Sequence, residues 1–251
     1  MMKIAKFNGK GEIFYTIQGE GKSLGKPTVF VRSSLCNLHC IWCDTDYTWN
    51  WDNTPHPHIF DETPGYQKYR KEEQIVELTT QELVTEVSQY PCKNLVLTGG
   101  EPLLQQKEWI ALMAQLRIND PRYWFEVETN GTLQPNEDFD NFINQYNVSP
   151  KLANSNNPLK LREKPGVYRF FAKSPKAWFK FVIAEQSDLD EVLELIDKYE
   201  IPADKVYLMP EGTTPDRLNS KQQWLVEQCK SHGFYYTDRL HIHIYGSKRG
   251  V

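Results

Sequence analysis

The chain has 251 residues, 25% of them charged, with 29 Lys and Arg against 33 Asp and Glu for a formal net charge of −4. That length suits one substantial core in a single α/β domain spanning residues 1–251. The basic residues are scattered, with no stripe to grip a phosphate backbone, and no apolar run approaches the ~20 residues that would span a bilayer. No nucleic acid and no membrane are therefore expected as partners. A small molecule is the expected ligand, and a mean hydropathy of −0.61 agrees with a soluble chain.

Five cysteines is an odd number, and the opening MMKIAKFNGKGEIF holds no continuous apolar stretch for a secretory signal, so a reduced, cytoplasmic protein is expected. No solenoid repeat or low-complexity tract is present.

Short runs of β-branched and aromatic residues recur along the chain, most of them followed by a helical pattern. They are Thr28 to Arg32, Leu95 to Thr98, Tyr123 to Glu128, Tyr146 to Val148, Trp178 to Ile183 and Val206 to Met209. This alternation predicts a parallel sheet with crossover helices, an open and incomplete (β/α)6-type barrel with loop insertions. Helix boundaries are legible in between. Thr79 with Glu82 makes a capping box, Pro102 suits a first helical turn, Ser187 is expected to cap LDEVLELIDKY, and Gly233 is expected to stop a helix. Two segments depart from the plan. Residues 49–77 are polar, aromatic and broken by prolines, a flap in which His56 and His58 are expected to be solvated. Residues 152–172 contain NSNNP and LREK and read as a mobile excursion. The terminal LHIHIY alternates like a strand.

Between the first and second predicted strands stand Cys36, Cys40 and Cys43, spaced C-x3-C-x2-C with no local fourth cysteine. Structural zinc and simple 4Fe-4S carriers use four protein ligands, so three thiolates leave one iron open to bind a substrate or cofactor. His39 is the candidate to complete a zinc set, although simultaneous ligation from beside Cys40 is awkward. Cys92 and Cys229 read as ordinary semi-buried thiols. The spacing, with Trp42 before the last cysteine, resembles the radical S-adenosylmethionine (SAM) superfamily. There the open iron is chelated by SAM, which one electron cleaves to methionine and a 5′-deoxyadenosyl radical.

The remaining loop residues fall after predicted strands, the end that carries chemistry in β/α barrels. In TGGEP, Gly99 and Gly100 permit close backbone approach, and Glu101 can accept a hydrogen bond from an ammonium group. The alternative is a strand-to-helix turn with a solvated glutamate. Glu128, Asn130, Ser149 and Lys151 offer mixed donors and acceptors for ribose, carboxylate and adenine edges. Against that, Glu128 can be a buried structural carboxylate and Asn130-Gly131 a simple turn. SPK occurs at both Ser149 and Ser174, and the first is preferred because it follows a strand.

FYTIQGEG, FVRSSLCNLHCIWCDT, TGGEP, ETNGT, NVSPK, KFV, LMPEG and LHIHIYGSKRGV, spread over nearly the whole chain, resemble the 7-carboxy-7-deazaguanine synthase family. The resemblance implies a homodimer, a 4Fe-4S cluster, SAM and Mg²⁺ as cofactors, and a reductant such as flavodoxin. The implied reaction is ring contraction of 6-carboxy-5,6,7,8-tetrahydropterin to 7-carboxy-7-deazaguanine and ammonia, on the route to queuosine. It begins with hydrogen abstraction at pterin carbon 6 and regenerates SAM.

By resemblance, the pterin is met by Ile17, Gln18, Gly19, Arg32, Thr98, His241 and Val251. SAM is met by Gly100, Glu101, Glu128, Asn130, Ser149, Pro150, Lys151, Met209, Pro210 and Glu211, and Mg²⁺ by the Thr45 hydroxyl. Taken alone, Asp44 and Asp46 would attract the metal assignment before Thr45. Arg32 suits a bidentate pair with the substrate carboxylate, although a surface salt bridge is the ordinary reading of a lone arginine. Two other function classes fit parts of the pattern. A glycyl-radical-enzyme activase would share the cysteines and GGEP, and a non-enzymatic iron-sulfur or zinc module would bind metal without cleaving SAM.

Overall fold

The computed structural model describes all residues, Met1–Val251. It begins with strands β1 (Met2–Phe7), β2 (Lys10–Gly11), β3 (Ile13–Ile17) and β4 (Pro27–Ser33), and the long loop after β4 ends in helix α1 (Lys71–Gln74) and strand β5 (Ile75–Leu78). There follow α2 (Thr80–Ser88), β6 (Asn94–Gly99), α3 (Gln106–Asn119), β7 (Trp124–Thr129), α4 (Glu137–Phe142) and β8 (Gln145–Val148). The second half comprises α5 (Leu159–Arg162), α6 (Pro165–Lys173), β9 (Ala177–Ile183), α7 (Gln186–Tyr199), β10 (Val206–Pro210), α8 (Pro215–His232), β11 (Tyr235–Tyr236) and α9 (Leu240–Tyr245).

All six predicted strands are present, as β4 and β6 to β10, and they pair in parallel in that order, with the short β11 beyond β10. The sheet does not close: β2 and β11, at the two ends of its path, do not pair with each other. What periodicity missed is the antiparallel flank. β3 pairs along β4, while β1 joins β4 at Ser33 and pairs with β2 and β5.

The two-residue period of a strand divides these parallel strands into two faces. Val29, Val31, Leu95, Leu97, Phe125, Val127, Tyr146, Val148, Phe179, Phe181, Val206 and Leu208 belong to the main core with Trp109 of α3, Phe171 of α6, Val192 of α7 and Leu225 of α8. Many of the intervening residues are polar, Arg32, Thr98, Glu126, Glu128, Asn147 and Lys180 among them, beside apolar Phe30, Val96, Val182 and Met209. Burial of the aliphatic face at about 25 cal/mol per Å² drives the fold, and the polar face equips its interior.

Helix ends follow their chemistry. Thr79 and Glu82 form the reciprocal capping box, Pro102 opens a 3-10 turn before α3, and Gly233 ends α8 with φ 72°. The cap of α7 is Glu185, not Ser187, because Asp188 reaches back to the backbone N–H of Glu185 and starts the helix a residue before Ser187. LHIHIY is the helix α9: Leu240 N–H donates to Gly19 O and Ile242 is buried, so docking against the N-terminal turn overrides the alternation.

Residues 152–172 are not a detached excursion. They form α5 and most of α6, with Tyr168 and Phe171 in the core and Ser155 and Asn157 buried. His58 likewise departs from expectation. It is 3% exposed, its Nε2 lies 3.0 Å from Cys43 O, and Trp49 and Trp51 of the same segment are buried with it. No helix is long and apolar enough to cross a membrane.

Candidate active site

A cavity of ≈ 310 Å³ opens at the C-terminal ends of the parallel strands, where β/α barrels place their chemistry. Cys36, Cys40 and Cys43 all line it. The cysteine loop is held by backbone bonds to its surroundings, Ser34 N–H to Lys3 O, Leu35 N–H to Thr48 O and Ile41 N–H to Ser155 O. Burial pushes all three thiols up, Cys43 to about 12 with Asp44 and Cys40 adding to the effect. A thiolate set here therefore needs bound positive charge.

No three His, Cys, Asp or Glu side chains converge tightly enough to hold a single metal ion. Three soft donors facing one cavity fit instead an iron-sulfur cluster with one cysteine per iron. N–H groups already point at two of the sulfurs, Asn157 Nδ2 at 3.3 Å from Cys40 and Leu38 N at 3.5 Å from Cys36. His39 does not complete the set. It stacks on His56 with ring centroids 3.5 Å apart, outside the cavity lining, and burial followed by the His56 charge lowers its pKa to about 4.

Gly99 and Gly100 bring the end of β6 against the cysteine loop. A Cβ on Gly99 would stand 2.6 Å from Ser33 N, and one on Gly100 would stand 2.9 Å from Cys36 Cβ. Gly100 N–H donates to Ser33 O and Glu101 N–H to Leu35 O, fixing this approach.

Glu101 itself is fully buried and stands behind Gly100, outside the cavity lining. It accepts from Leu103 N–H at 3.0 Å, the Thr129 hydroxyl at 2.9 Å and Asn130 N–H at 2.7 Å, while burial raises its pKa to about 7. Glu101 thereby clasps together the loops after β6 and β7. Asn130 extends the clasp, donating from Nδ2 to Asn37 Oδ1 at 2.9 Å.

Apart from Glu101 and Pro150, every residue expected to meet pterin, SAM or metal lines the cavity. Lys151 Nζ lies 2.9 Å from Ser149 Oγ, and Met209, Pro210 and Glu211 close the side formed by β10. Thr45 Oγ1 lies 3.6 Å from Cys43 Sγ and faces the cavity. Asp44 and Asp46 are engaged elsewhere, Asp44 by Arg239 and Asp46 by Asn50 and Tyr66.

Arg32 donates Nε to Glu12 at 3.1 Å, and its η nitrogens donate to no protein group. Glu12 is buried and also accepts from Tyr47 and from Arg249, which lies over the Tyr47 ring at 3.4 Å. Through Arg249 the C-terminal tail folds back, so Val251 reaches the cavity.

A charge web among distant segments, centred on buried Lys180 and Arg239, escaped the sequence reading. Lys180 of β9 donates to Glu20 at 2.6 Å and Glu128 at 2.9 Å, and Arg239 donates to Glu20 at 3.0 Å, to Gly212 O at 2.6 Å and to Asp44. Burial alone would raise the Glu20 carboxyl, but Lys180 and then Arg239 hold it far below the usual range. Burial would lower Lys180, and Glu128 and Glu20 instead raise it. The Lys in KFV and the Glu in QGEG were the available signals for this web; Arg239 had none.

Residues 30–154 match the radical SAM superfamily. The chain is 35% identical over 241 residues to the 7-carboxy-7-deazaguanine synthase of Pyrobaculum aerophilum, covering 95% of each. It is 32% identical over 255 residues to that of Rhodopirellula baltica, covering 96% of this chain and 87% of the relative. The crystal structure of QueE from Escherichia coli superposes with a TM-score of 0.64 over 95% of each chain, at 22% identity, and so shares the fold. With three cysteines on one cavity of an unclosed α/β barrel and similarity along nearly its whole length, the chain belongs to the 7-carboxy-7-deazaguanine synthase family of radical SAM enzymes.

Proposed function

We propose that the protein converts 6-carboxy-5,6,7,8-tetrahydropterin to 7-carboxy-7-deazaguanine and ammonia by ring contraction. The observation that carries this reading is the convergence of Ile17, Gln18, Gly19, Arg32, Thr98, His241 and Val251 on the same cavity as the three cysteines. Cys36, Cys40 and Cys43 would hold a 4Fe-4S cluster, which with SAM supplies one-electron cleavage and hydrogen abstraction from the substrate.

The residues of the chain bind and orient. The free η nitrogens of Arg32 suit a substrate carboxylate. Gly100, Asn130, Ser149, Lys151, Met209, Pro210 and Glu211 form the adjoining wall and would bind SAM, while Glu101 acts through the loops it clasps. Glu128 stands on the same wall, its carboxyl pushed up by burial and held by Lys180 at 2.9 Å. Thr45 would offer one hard oxygen to Mg²⁺, which would supply positive charge to stabilise the substrate carboxylate. The half-buried end of the tail and α9 line the mouth of the cavity beside Arg32.

The family resemblance also supports a homodimer, cytoplasmic placement, a single domain and an electron donor such as flavodoxin; residues 49–77 read as an insertion, whereas 152–172 supply the crossover from β8 to β9. Anaerobic reconstitution with iron and sulfide, followed by SAM, Mg²⁺, reductant and the carboxypterin, tests the central reading by mass spectrometry. Carboxydeazaguanine is expected. If the pterin survives while 5′-deoxyadenosine accumulates, the substrate is wrong.

A further inference from the structure

Asn157 belongs to NSNNP, a motif that the reading above leaves without a role. Its side chain is 7% exposed and spans two points of the cysteine loop. Oδ1 accepts from His39 N–H at 2.9 Å, and Nδ2 lies 3.3 Å from Cys40 Sγ. The backbone donor of His39 identifies which end of the amide is oxygen, so the NH₂ end must face the sulfur. Neighbouring bonds hold this geometry: Ile41 N–H donates to Ser155 O, and Trp42 Nε1 to Asn154 O at 2.9 Å.

We propose that Asn157 is a positioning residue that raises the reduction potential of the iron-sulfur cluster by donating an amide hydrogen to Cys40 Sγ. The inference rests on the reading that Cys36, Cys40 and Cys43 hold such a cluster. Reduction adds one electron to the cluster from an external donor, and no proton moves. The ligand sulfur becomes more electron-rich, so an N–H···S bond stabilises the reduced state more than the oxidised one. Asn157 keeps its proton throughout.

The test is a potentiometric titration with dithionite, read by electron paramagnetic resonance, on the reconstituted full chain and its Asn157→Ala and Asn157→Asp variants. Iron and sulfide content is measured in each. Both variants are expected to be reduced less favourably, by threefold to tenfold, or about 30–60 mV at about 59 mV per tenfold for one electron. Asp should lie lower than Ala, because it retains the acceptor for His39 N–H and points a carboxylate oxygen at the sulfur. An Ala variant with full cluster content and an unchanged or raised potential overturns the proposal, since a merely structural residue would leave the potential alone.

If the variants fail to load iron, the wild-type protein decides. Grown with amide-15N asparagine and reduced, it should show a 15N hyperfine coupling to the cluster, because Asn157 is the asparagine whose amide donates to a cysteine sulfur. Lack of that coupling overturns the proposal. A wild-type protein that takes up no cluster overturns the cysteine reading itself, which is a distinguishable failure.

Discussion

Gly19 and His241, at opposite ends of the chain, are packed so closely that a Cβ on Gly19 would stand 2.8 Å from the imidazole Cγ. Leu240 N–H donates to Gly19 O beside this contact, so the turn after β3 and helix α9 form one unit at the cavity rim. Gly19→Ala should lower kcat/KM at least about tenfold and stability by about 1–3 kcal/mol, the usual range for overpacking. His241→Ala placed in the Gly19→Ala background removes the imidazole from the clash, leaving only the 3.1 Å approach to the Cβ of residue 241, and should restore most of the stability. A double-mutant cycle by urea denaturation that shows strict additivity would refute the coupling.

Arg32 faces the cavity with its η nitrogens while Glu12 anchors its ε nitrogen. Arg32→Gln should raise KM for the carboxypterin about 10- to 100-fold, equivalent to the roughly 1.5–3 kcal/mol of a charged hydrogen bond, with a smaller change in kcat. A pterin lacking the 6-carboxylate, assayed as a competitive inhibitor, should bind wild type and variant alike. Equal losses for both ligands would take Arg32 away from the carboxylate.

Lys180, itself buried, neutralises two half-buried carboxylates at once. Lys180→Met leaves Glu20 and Glu128 without that charge and should cost about 3–5 kcal/mol near pH 7. In the wild type the depressed Glu20 carboxyl contributes stability that is present above the unfolded value of 4.5 and is lost as pH falls below it. In the variant, carboxylates lacking their partner take up protons on folding, so its deficit should narrow as pH falls from 7 to 5. Urea denaturation across that interval checks the sign; a deficit that widens would contradict it.

Glu101 works in the opposite sense. With its pKa raised from 4.5 to about 7, the folded state binds more protons than the unfolded state between these values. Its contribution is therefore greatest below pH 4.5, falls as pH rises to about 7, and is level above. Glu101→Gln leaves one of the Leu103 and Asn130 N–H groups without an acceptor, at a cost of about 1–3 kcal/mol. Measured on the metal-free protein, the gap between wild type and Glu101→Gln should shrink from pH 5 to pH 8. Parallel stability profiles would show that the carboxyl does not titrate there.

The cysteine spacing, the six parallel strands, the capping box at Thr79, the helical start at Pro102 and the stop at Gly233 were legible because each depends on neighbours within a few residues. Family resemblance extended that reading to the residues now found around the cavity. Four features were settled only by folding: the helix at LHIHIY, the burial of His58, the seating of NSNNP against Cys40, and the clasp made by Glu101. The burial of His58 depends on how its own segment folds back on Cys43, and the others depend on partners far away in the chain, as does the web that joins Glu20 to Lys180 and Arg239 across 160 and 219 residues. Local periodicity specifies which face of an element is apolar; which charges meet across the interior is decided by strand register and by the return of the C-terminal tail.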